Sequence, residues 1–464
     1  MSREIHLPHE LLQSIFDDVI WRSTLSAGTL VSRRWFAAAR PQLFRSLSIK
    51  VQSETCADQE QDVFARFFSE EPPSFVVPHV RALRVSLQSP ITPSEVEETP
   101  VTTYELDVII SKFPALQVLS LDLAILRLTD KSLKSWTSPV SLRELRLEEV
   151  SFEYLFDLPD VIPQQELTCA KILTKCSFVQ FINMFETVDT LILGHVWPLE
   201  SPDSNITGRS RESLRLAAWN DRKNISKKLV IKRALSGTML SAYSFDREIR
   251  SHEVVLDLLI GTPAFSRLDD LQISENVVFT RELLASTWST LTHLRVDIGK
   301  DLPELSQSEV HGHYPELVND PTNYGIMWCT SLVHLHIDAQ LDCPVDMNVE
   351  QPLETLPLPT QLMQVLKLSC PNTISLVVEF SCREYLTLDL FVWKPLDELL
   401  SKRTRLKELQ LNFMPDHEFI GFHATSQLLA MNWSVDPQDI AAVETQMPLV
   451  RAKLGERFRT ATWE

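Results

Sequence analysis

One six-residue pattern, apolar-x-x-apolar-x-apolar, returns along most of the chain and constrains its fold more than any other feature. Residues at alternate positions of a β-strand face the same side, so each unit predicts a strand with one buried face. Ten units have this pattern: Phe44-Leu47-Ile49, Val80-Leu83-Val85, Leu116-Leu119-Leu121, Leu142-Leu145-Leu147, Val188-Leu191-Leu193, Leu268-Leu271-Ile273, Leu291-Leu294-Val296, Leu332-Leu335-Ile337, Met363-Leu366-Leu368 and Leu406-Leu409-Leu411. Several stretches between the units have helical spacing, so strands and helices are expected to alternate.

The pattern resembles the strand signature of leucine-rich repeats, in which inward leucines alternate with outward residues. This resemblance implies an α/β solenoid, an irregular leucine-rich-repeat horseshoe, with long insertions between some of its units. An alternative is an α/β domain with a parallel sheet, which would also alternate apolar strands with helices. The alternation of polar and apolar residues favours the repeats, because a central parallel strand usually reads as a continuous apolar run.

Residues 5–50 have a different pattern, which predicts three short helices. Pro8 suits the first turn of a helix, and apolar residues then recur at helical spacing from Leu11 to Val19. A second apolar set runs from Leu25 to Phe36. Three short helices cannot bury all these side chains by themselves, so some apolar surface should remain for a partner. The alternative is a helical cap on the end of a solenoid.

The order of residues in this segment resembles the F-box motif. The matching residues are Leu7-Pro8, Glu10-Leu11-Leu12, Ile15-Phe16, Leu30-Val31-Ser32-Arg33, Trp35 and Pro41-x-Leu43-Phe44-Arg45-x-Leu47. The combination of this motif with degenerate repeats is similar to the large F-box families of filamentous fungi. The resemblance implies binding to the S-phase kinase-associated adaptor protein and, through it, to a cullin. Carried over by position, the adaptor-binding residues are Leu7, Pro8, Leu11, Leu12, Ile15, Val31 and Trp35. Leu30 and Phe44 are expected inside.

These observations predict three domains: a small three-helix F-box at 1–50, the irregular leucine-rich-repeat solenoid at 51–427, and a C-terminal helical cap at 428–464. In the cap, Pro448 is expected to break an amphipathic helix.

Residues between the inward leucines are expected on the concave face. The candidates for substrate binding there are Arg84, Arg146, Arg295, His334, His336 and Lys367. Carboxylates flank them at Glu144, Glu148, Asp270, Asp297, Asp338 and Glu408. One interpretation is an ionic strip whose arginines meet an acidic or phosphorylated segment of a partner protein. The other is a solvated sheet face, because outward positions must be polar in any case.

Composition and charge exclude several classes of function. Residues 1–50 carry seven Lys/Arg against four Asp/Glu, whereas the whole chain has a net charge of −18. An acidic body argues against nucleic acid or anionic lipid as the main ligand, and the basic N-terminus suits an acidic protein partner. The ten glycines are too far apart for phosphate-binding loops or a nucleophile elbow. No apolar run is long enough to cross a membrane.

We therefore expect a non-catalytic substrate-recognition subunit of an SCF-type cullin ubiquitin ligase. It would bind the adaptor through the N-terminal helices and an unknown protein substrate through the repeats. No cofactor, catalytic residue or metal site is expected, although His311 and His313, or His334 and His336, are imaginable ligands. We expect the chain in the cytoplasm, the nucleus or both. The alternative function is a structural protein-binding repeat scaffold without a ligase role, and an unrecognised α/β enzyme is the third possibility.

Overall fold

The computed structural model describes residues 8–19, 21–50, 76–86, 99–128, 140–153, 176–199, 228–232, 255, 267–273, 280–298, 326–341, 356–382, 388–415 and 437–462. The chain divides into two compact units, Met1–Ser226 and Lys227–Glu464. The predicted boundaries at 50/51 and 427/428 remain predictions. No helix among these residues is both long and apolar enough to span a membrane.

The first unit begins with three helices and continues as a parallel sheet. Its helices are α1 (His9–Asp17), α2 (Arg22–Thr29), α3 (Arg33–Leu43), α4 (Thr103–Ser111) and α5 (Ser177–Ile182). Its strands are β1 (Ser46–Lys50), β2 (Ala82–Ser86), β3 (Thr99–Thr102), β4 (Val118–Arg127), β5 (Val140–Glu153) and β6 (Phe185–Leu199). The strands lie in the order β1-β2-β4-β5-β6, and β3 pairs with the second half of β4.

The second unit is also built on parallel strands. Its helices are α6 (Thr280–Thr287), α7 (Thr360–Leu368), α8 (Lys394–Ser401), α9 (Pro437–Gln446) and α10 (Pro448–Leu454). Its strands are β7 (Lys228–Lys232), β8 (Asp270–Ile273), β9 (His293–Asp297), β10 (His334–Leu341), β11 (Leu356–Pro357), β12 (Ser375–Cys382), β13 (Phe391–Val392), β14 (Glu408–Pro415) and β15 (Phe458–Thr462). The main sheet runs β7-β8-β9-β10-β12-β14-β15, and β11 pairs separately with β13.

The core of each unit is a ladder of aliphatic side chains in register. In the first unit, the opposed residues are Leu83, Leu119, Leu145 and Leu191. In the second, they are Leu271, Leu294, Leu335, Leu376 and Leu409. All nine are at most 2% exposed. Burying one leucine stabilises the fold by about 1.5–3 kcal/mol. A slip of one residue would expose a whole ladder, so these leucines fix the register of the strands.

Polar caps define the helix ends. Thr102 Oγ1 accepts a hydrogen bond from the Glu105 amide at the start of α4, and the Glu105 carboxylate accepts one from the Thr102 amide. This reciprocal pair satisfies two of the amides that an α-helix leaves without a partner. In the second unit, the buried Asp397 carboxylate accepts from the Val450 amide at 2.7 Å, which joins α8 to α10. The break expected at Pro448 is confirmed, because α9 ends at Gln446 and α10 begins at Pro448.

Two adjacent strands of the first unit bend at matched positions. Leu123 in β4 and Glu149 in β5 have φ values of 55° and 54°. Both lie between the opposed pairs Asp122/Glu148 and Ala124/Val150. A side chain in this left-handed region costs about 1–2 kcal/mol, so the bend is held by the packing on either side of it.

The predicted leucine-rich-repeat horseshoe is wrong as a fold class. The described chain is dominated by large parallel sheets with helices, an α/β architecture that matches the alternative fold considered from the sequence. The six-residue pattern covers only part of strands such as β5, which has 14 residues. Alternation misled the interpretation because recognised strands such as β8 and β9 bury one face and leave the other partly exposed. Parallel strands of this kind do not read as continuous apolar runs.

One of the ten units is not a strand. Met363-Leu366-Leu368 lies within helix α7, where Leu362, Val365 and Leu366 are buried. The first two residues of the pattern stand three apart, a spacing that a helix face shares. The neighbouring strand β12 escaped detection because Thr373 occupies the first apolar position of its unit, ahead of Leu376 and Val378. The other nine units coincide with strands.

The alternating burial of β12 predicts opposite outcomes for two adjacent valines. Val378 is fully buried and Val377 is half-exposed. Val378→Ala should lower the free energy of unfolding by roughly 2 kcal/mol, through lost burial and a residual cavity. Val377→Ala, the matched control, should lower it by less than about half of that. Urea unfolding of both variants checks the strand, and equal losses would contradict its orientation.

Candidate functional site

Helix α1 carries two apolar stripes, and only one of them is covered. Leu12 and Phe16 lie four residues apart on one face and are 1% and 3% exposed. Leu11 and Ile15 have the same spacing on another face and are 52% and 48% exposed. A surface helix normally presents polar residues outside its core-facing stripe. The second stripe is therefore a candidate contact surface.

The three N-terminal helices pack around a small core of their own. Leu12, Phe16 and Leu25 are buried there together with Ala38 and Ala39. The rings of Phe16 and Trp35 meet edge to face with centroids 5.5 Å apart. A Cβ on Gly28 would lie 2.9 Å from the Phe16 ring, so any other residue there would require the ring to move. Ser32 caps α3 by accepting a hydrogen bond from the Trp35 amide.

The predicted adaptor-binding residues divide into accessible and buried ones. Pro8, Leu11, Ile15 and Val31 are exposed, Val31 by 62%. Trp35 is half-buried against Phe16. Leu12 does not belong to the contact surface, because α1 turns it into the helical core. Leu7 lies outside the described residues.

Exposed apolar side chains also occur where the motif did not place them. Leu30 was expected inside, but it is 86% exposed because it follows the last residue of α2, where neither helix face covers it. Trp21 is 75% and Phe36 38% exposed. Phe44, also expected inside, is half-buried. Helical spacing alone could not reveal Leu30, since its exposure depends on where α2 ends.

On the outward face of the first sheet, the predicted arginines are paired with carboxylates. Arg84 donates from Nε to Asp122 on the next strand. Arg146 contacts Glu144 at 3.0 Å and Glu148 at 3.8 Å, both on its own strand. The two arginines lie on strands separated by β4, and Glu148, which contacts Arg146, also contributes to the raised pKa of Arg84.

The second sheet brings two predicted residues into one cluster. Arg295 on β9 and His336 on β10 are opposed in register, and both contact Asp338 and Glu379. Arg295 Nε and Nη2 donate to the two oxygens of Asp338 at 2.8 and 2.9 Å. His336 Nε2 lies 3.0 Å from Glu379 Oε2 and 3.2 Å from Asp338 Oδ1. We call these four residues the β9-β12 cluster.

The cluster shifts the pKa values of its own members. Burial opposes the charged form of His336, but hydrogen bonds to Asp338 and Glu379 outweigh it and raise the pKa of His336. Burial likewise opposes ionisation of Asp338, yet hydrogen bonds from His336 and Arg295 lower its pKa. Both shifts favour a charged His336 beside an ionised Asp338.

The remaining two predicted residues lie outside this cluster. The His334 ring stacks on His293 of the neighbouring strand, with centroids 4.3 Å apart. Lys367 does not lie on the sheet face, because its segment forms helix α7 and not a strand. Glu379 was not predicted from the sequence, because the strand that carries it, β12, lacks the full apolar pattern and was not recognised.

The arrangement limits the ligands that the outward faces could bind. Arg84, Arg146 and Arg295 each already contact a carboxylate of the protein. A phosphorylated or acidic segment would meet guanidinium groups whose charge these carboxylates already partly balance, and would use their remaining N–H donors. The described residues include one group with metal-ligand potential, in which ligand atoms of His336, Asp338 and Glu379 lie within 4.8 Å of one another. His311 and His313 lie outside the described residues.

Comparison with known proteins adds no family: no family model matches the chain, and no curated protein matches it.

Opposite titration is expected for the two histidines of β10. The pKa of His336 is raised above its ordinary value of 6.5. Burial and the neighbouring His293 lower the pKa of His334 below that value. In NMR titration of the imidazole protons in metal-free buffer, His336 should therefore titrate above pH 6.5 and His334 below it. His334→Gln and His336→Gln assign the signals, and the reverse order would contradict the cluster geometry.

The same shifts set the sign of the stability change with pH. The stability contributed by His336 is fully present below its unfolded pKa and is lost as pH rises through the raised folded value. For His334 the contribution is present above the unfolded pKa and is lost as pH falls through the lowered folded value.

Proposed function

We propose that the chain is a non-catalytic substrate-recognition subunit of an SCF-type cullin ubiquitin ligase. Its N-terminal helices bind the S-phase kinase-associated adaptor protein, and an outward sheet face binds a protein substrate. In this role the chain performs no chemistry. It raises the rate of ubiquitin transfer by holding a substrate lysine near the conjugating enzyme.

The uncovered stripe of α1 is the observation that carries this proposal. Leu11 and Ile15 match apolar positions of the F-box order, and the helices leave both about half exposed. The helical core buries other residues of the same motif, including Leu12 and Phe16. A helical cap without a partner would gain no stability from exposing Leu11 and Ile15, whereas a docking surface requires exposed apolar side chains.

The charge around the helices supports an acidic protein as the partner. Arg33, Arg34 and Arg45 are exposed on α3 and just after it. Basic residues at the rim of an apolar contact steer an acidic partner toward it, while burial of the apolar side chains supplies most of the affinity.

Replacing the stripe with charges should abolish adaptor capture. Leu11 and Ile15 are already about half covered, so in Leu11→Asp, Ile15→Asp the complex would lose about half of the 1.5–3 kcal/mol of a full burial for each side chain, and it would also have to bury two carboxylates. Affinity for the purified adaptor should therefore fall at least about 100-fold. The test is co-purification of the full chain with the adaptor, followed by titration calorimetry.

Met327→Asp is the matched control, because it places a charge on a 41% exposed apolar residue far along the chain from the helices. It should bind the adaptor like the wild type. Circular dichroism and thermal unfolding should show both variants folded, since neither changes a buried residue. Equal capture by wild type and double variant would refute docking through α1. No capture by the wild type would favour a structural protein-binding scaffold without a ligase role.

A further inference from the structure

The ligand atoms of His336, Asp338 and Glu379 in the β9-β12 cluster lie within 4.8 Å of one another. His336 Nε2 stands 3.0 Å from Glu379 Oε2 and 3.2 Å from Asp338 Oδ1. In a tetrahedral zinc site with bonds of roughly 2.0–2.1 Å, neighbouring ligand atoms are about 3.3 Å apart. A small outward shift would open the space for an ion.

The guanidinium of Arg295 holds the carboxylates from the other side. It contacts Asp338 Oδ2 at 2.8 Å and Glu379 Oε1 at 3.3 Å. Thus one oxygen of each carboxylate faces the arginine and the other faces the histidine. Asp338 Oδ1 also accepts from Arg295 Nη2, so both groups share that atom. Hydrogen bonds to ligating carboxylates are the usual means by which proteins orient them.

The charge of the cluster fits a divalent cation. Asp297, whose charge also acts on Arg295, adds a third carboxylate to Asp338 and Glu379. A metal ion binds the neutral imidazole, so binding releases the proton that the metal-free cluster favours on His336. With Arg295 charged and His336 neutral, the set then carries a net charge of −2. One divalent ion neutralises it, so Arg295 does not leave an excess of positive charge beside the metal.

We propose that His336, Asp338 and Glu379 bind one divalent first-row transition-metal ion, with zinc as the best fit. One imidazole nitrogen and two carboxylate oxygens form a donor set that suits zinc better than the all-oxygen sites of calcium and magnesium. Three protein ligands leave a fourth position for water or a partner's side chain. The ligands' side chains remain 17–25% exposed, so an ion can reach them from solvent.

Zinc titration of the full chain, freed of metal with a chelator, tests this site. By calorimetry, wild type should bind one zinc ion that His336→Gln and Glu379→Gln lose, or bind at least about 10- to 100-fold more weakly. His334→Gln removes a histidine from the same strand but no cluster member, so it should bind like the wild type. Calcium and magnesium should not compete at equal concentration.

A spectroscopic readout separates this site from zinc bound at cysteines. Cobalt(II) in wild type should give visible bands of a tetrahedral nitrogen–oxygen site without the strong near-ultraviolet thiolate transitions. The bands should disappear in His336→Gln and remain in His334→Gln. Absence of saturable binding to wild type would overturn the proposal. So would equal binding in the cluster variants and the control, or a thiolate spectrum that both cluster variants retain.

Discussion

The ladders of buried aliphatic side chains are the constraint on which the rest of the structure depends. Leu119 opposes Leu83 and Leu145, and Leu335 opposes Leu294 and Leu376, in each case at adjacent parallel strands. Because side chains alternate along a strand, fixing the inward residues also fixes every outward neighbour. The diagonal contact from Arg295 to Asp338 and the opposition of Asp338 to Glu379 follow from this register. A slip of one residue would disperse the polar cluster together with the core.

The N-terminal helices obey a different constraint, since they have few residues to bury. Their core depends on close approach at Gly28 and on the ring contact between Phe16 and Trp35. Covering Leu12 and Phe16 uses one side of α1 and leaves Leu11 and Ile15 without an intramolecular cover of comparable extent. The accessible apolar stripe thus follows from the small size of the three-helix segment as much as from its sequence. In a larger helical domain, a further helix could have covered it.

Much of the strand content was predictable, because nine of the ten apolar units mark true strands. The fold class was not, since alternation in recognised strands such as β9 reports only that one face is buried and does not distinguish a repeat array from another parallel sheet. The strand predicted at Met363 to Leu368 was wrong, because a spacing of three residues fits one face of a helix as well as the first step of the strand pattern. Three of the four cluster members were predictable, because Arg295, His336 and Asp338 lie in recognised strands. Glu379 becomes visible only through its pairing with Asp338 across β10 and β12.

The uncovered stripe of α1 also has a consequence for the thermodynamics of the free chain. A partner that binds only the folded helices stabilises them by mass action, to an extent that grows with its concentration relative to the dissociation constant. The apparent stability of residues 8–45 is then a property of the mixture and not of the chain alone. In a compartment where the partner is scarce, the helices would open more often and present Phe16 and Leu25 to proteases and to other apolar surfaces. The abundance of the chain would then follow the abundance of its partner.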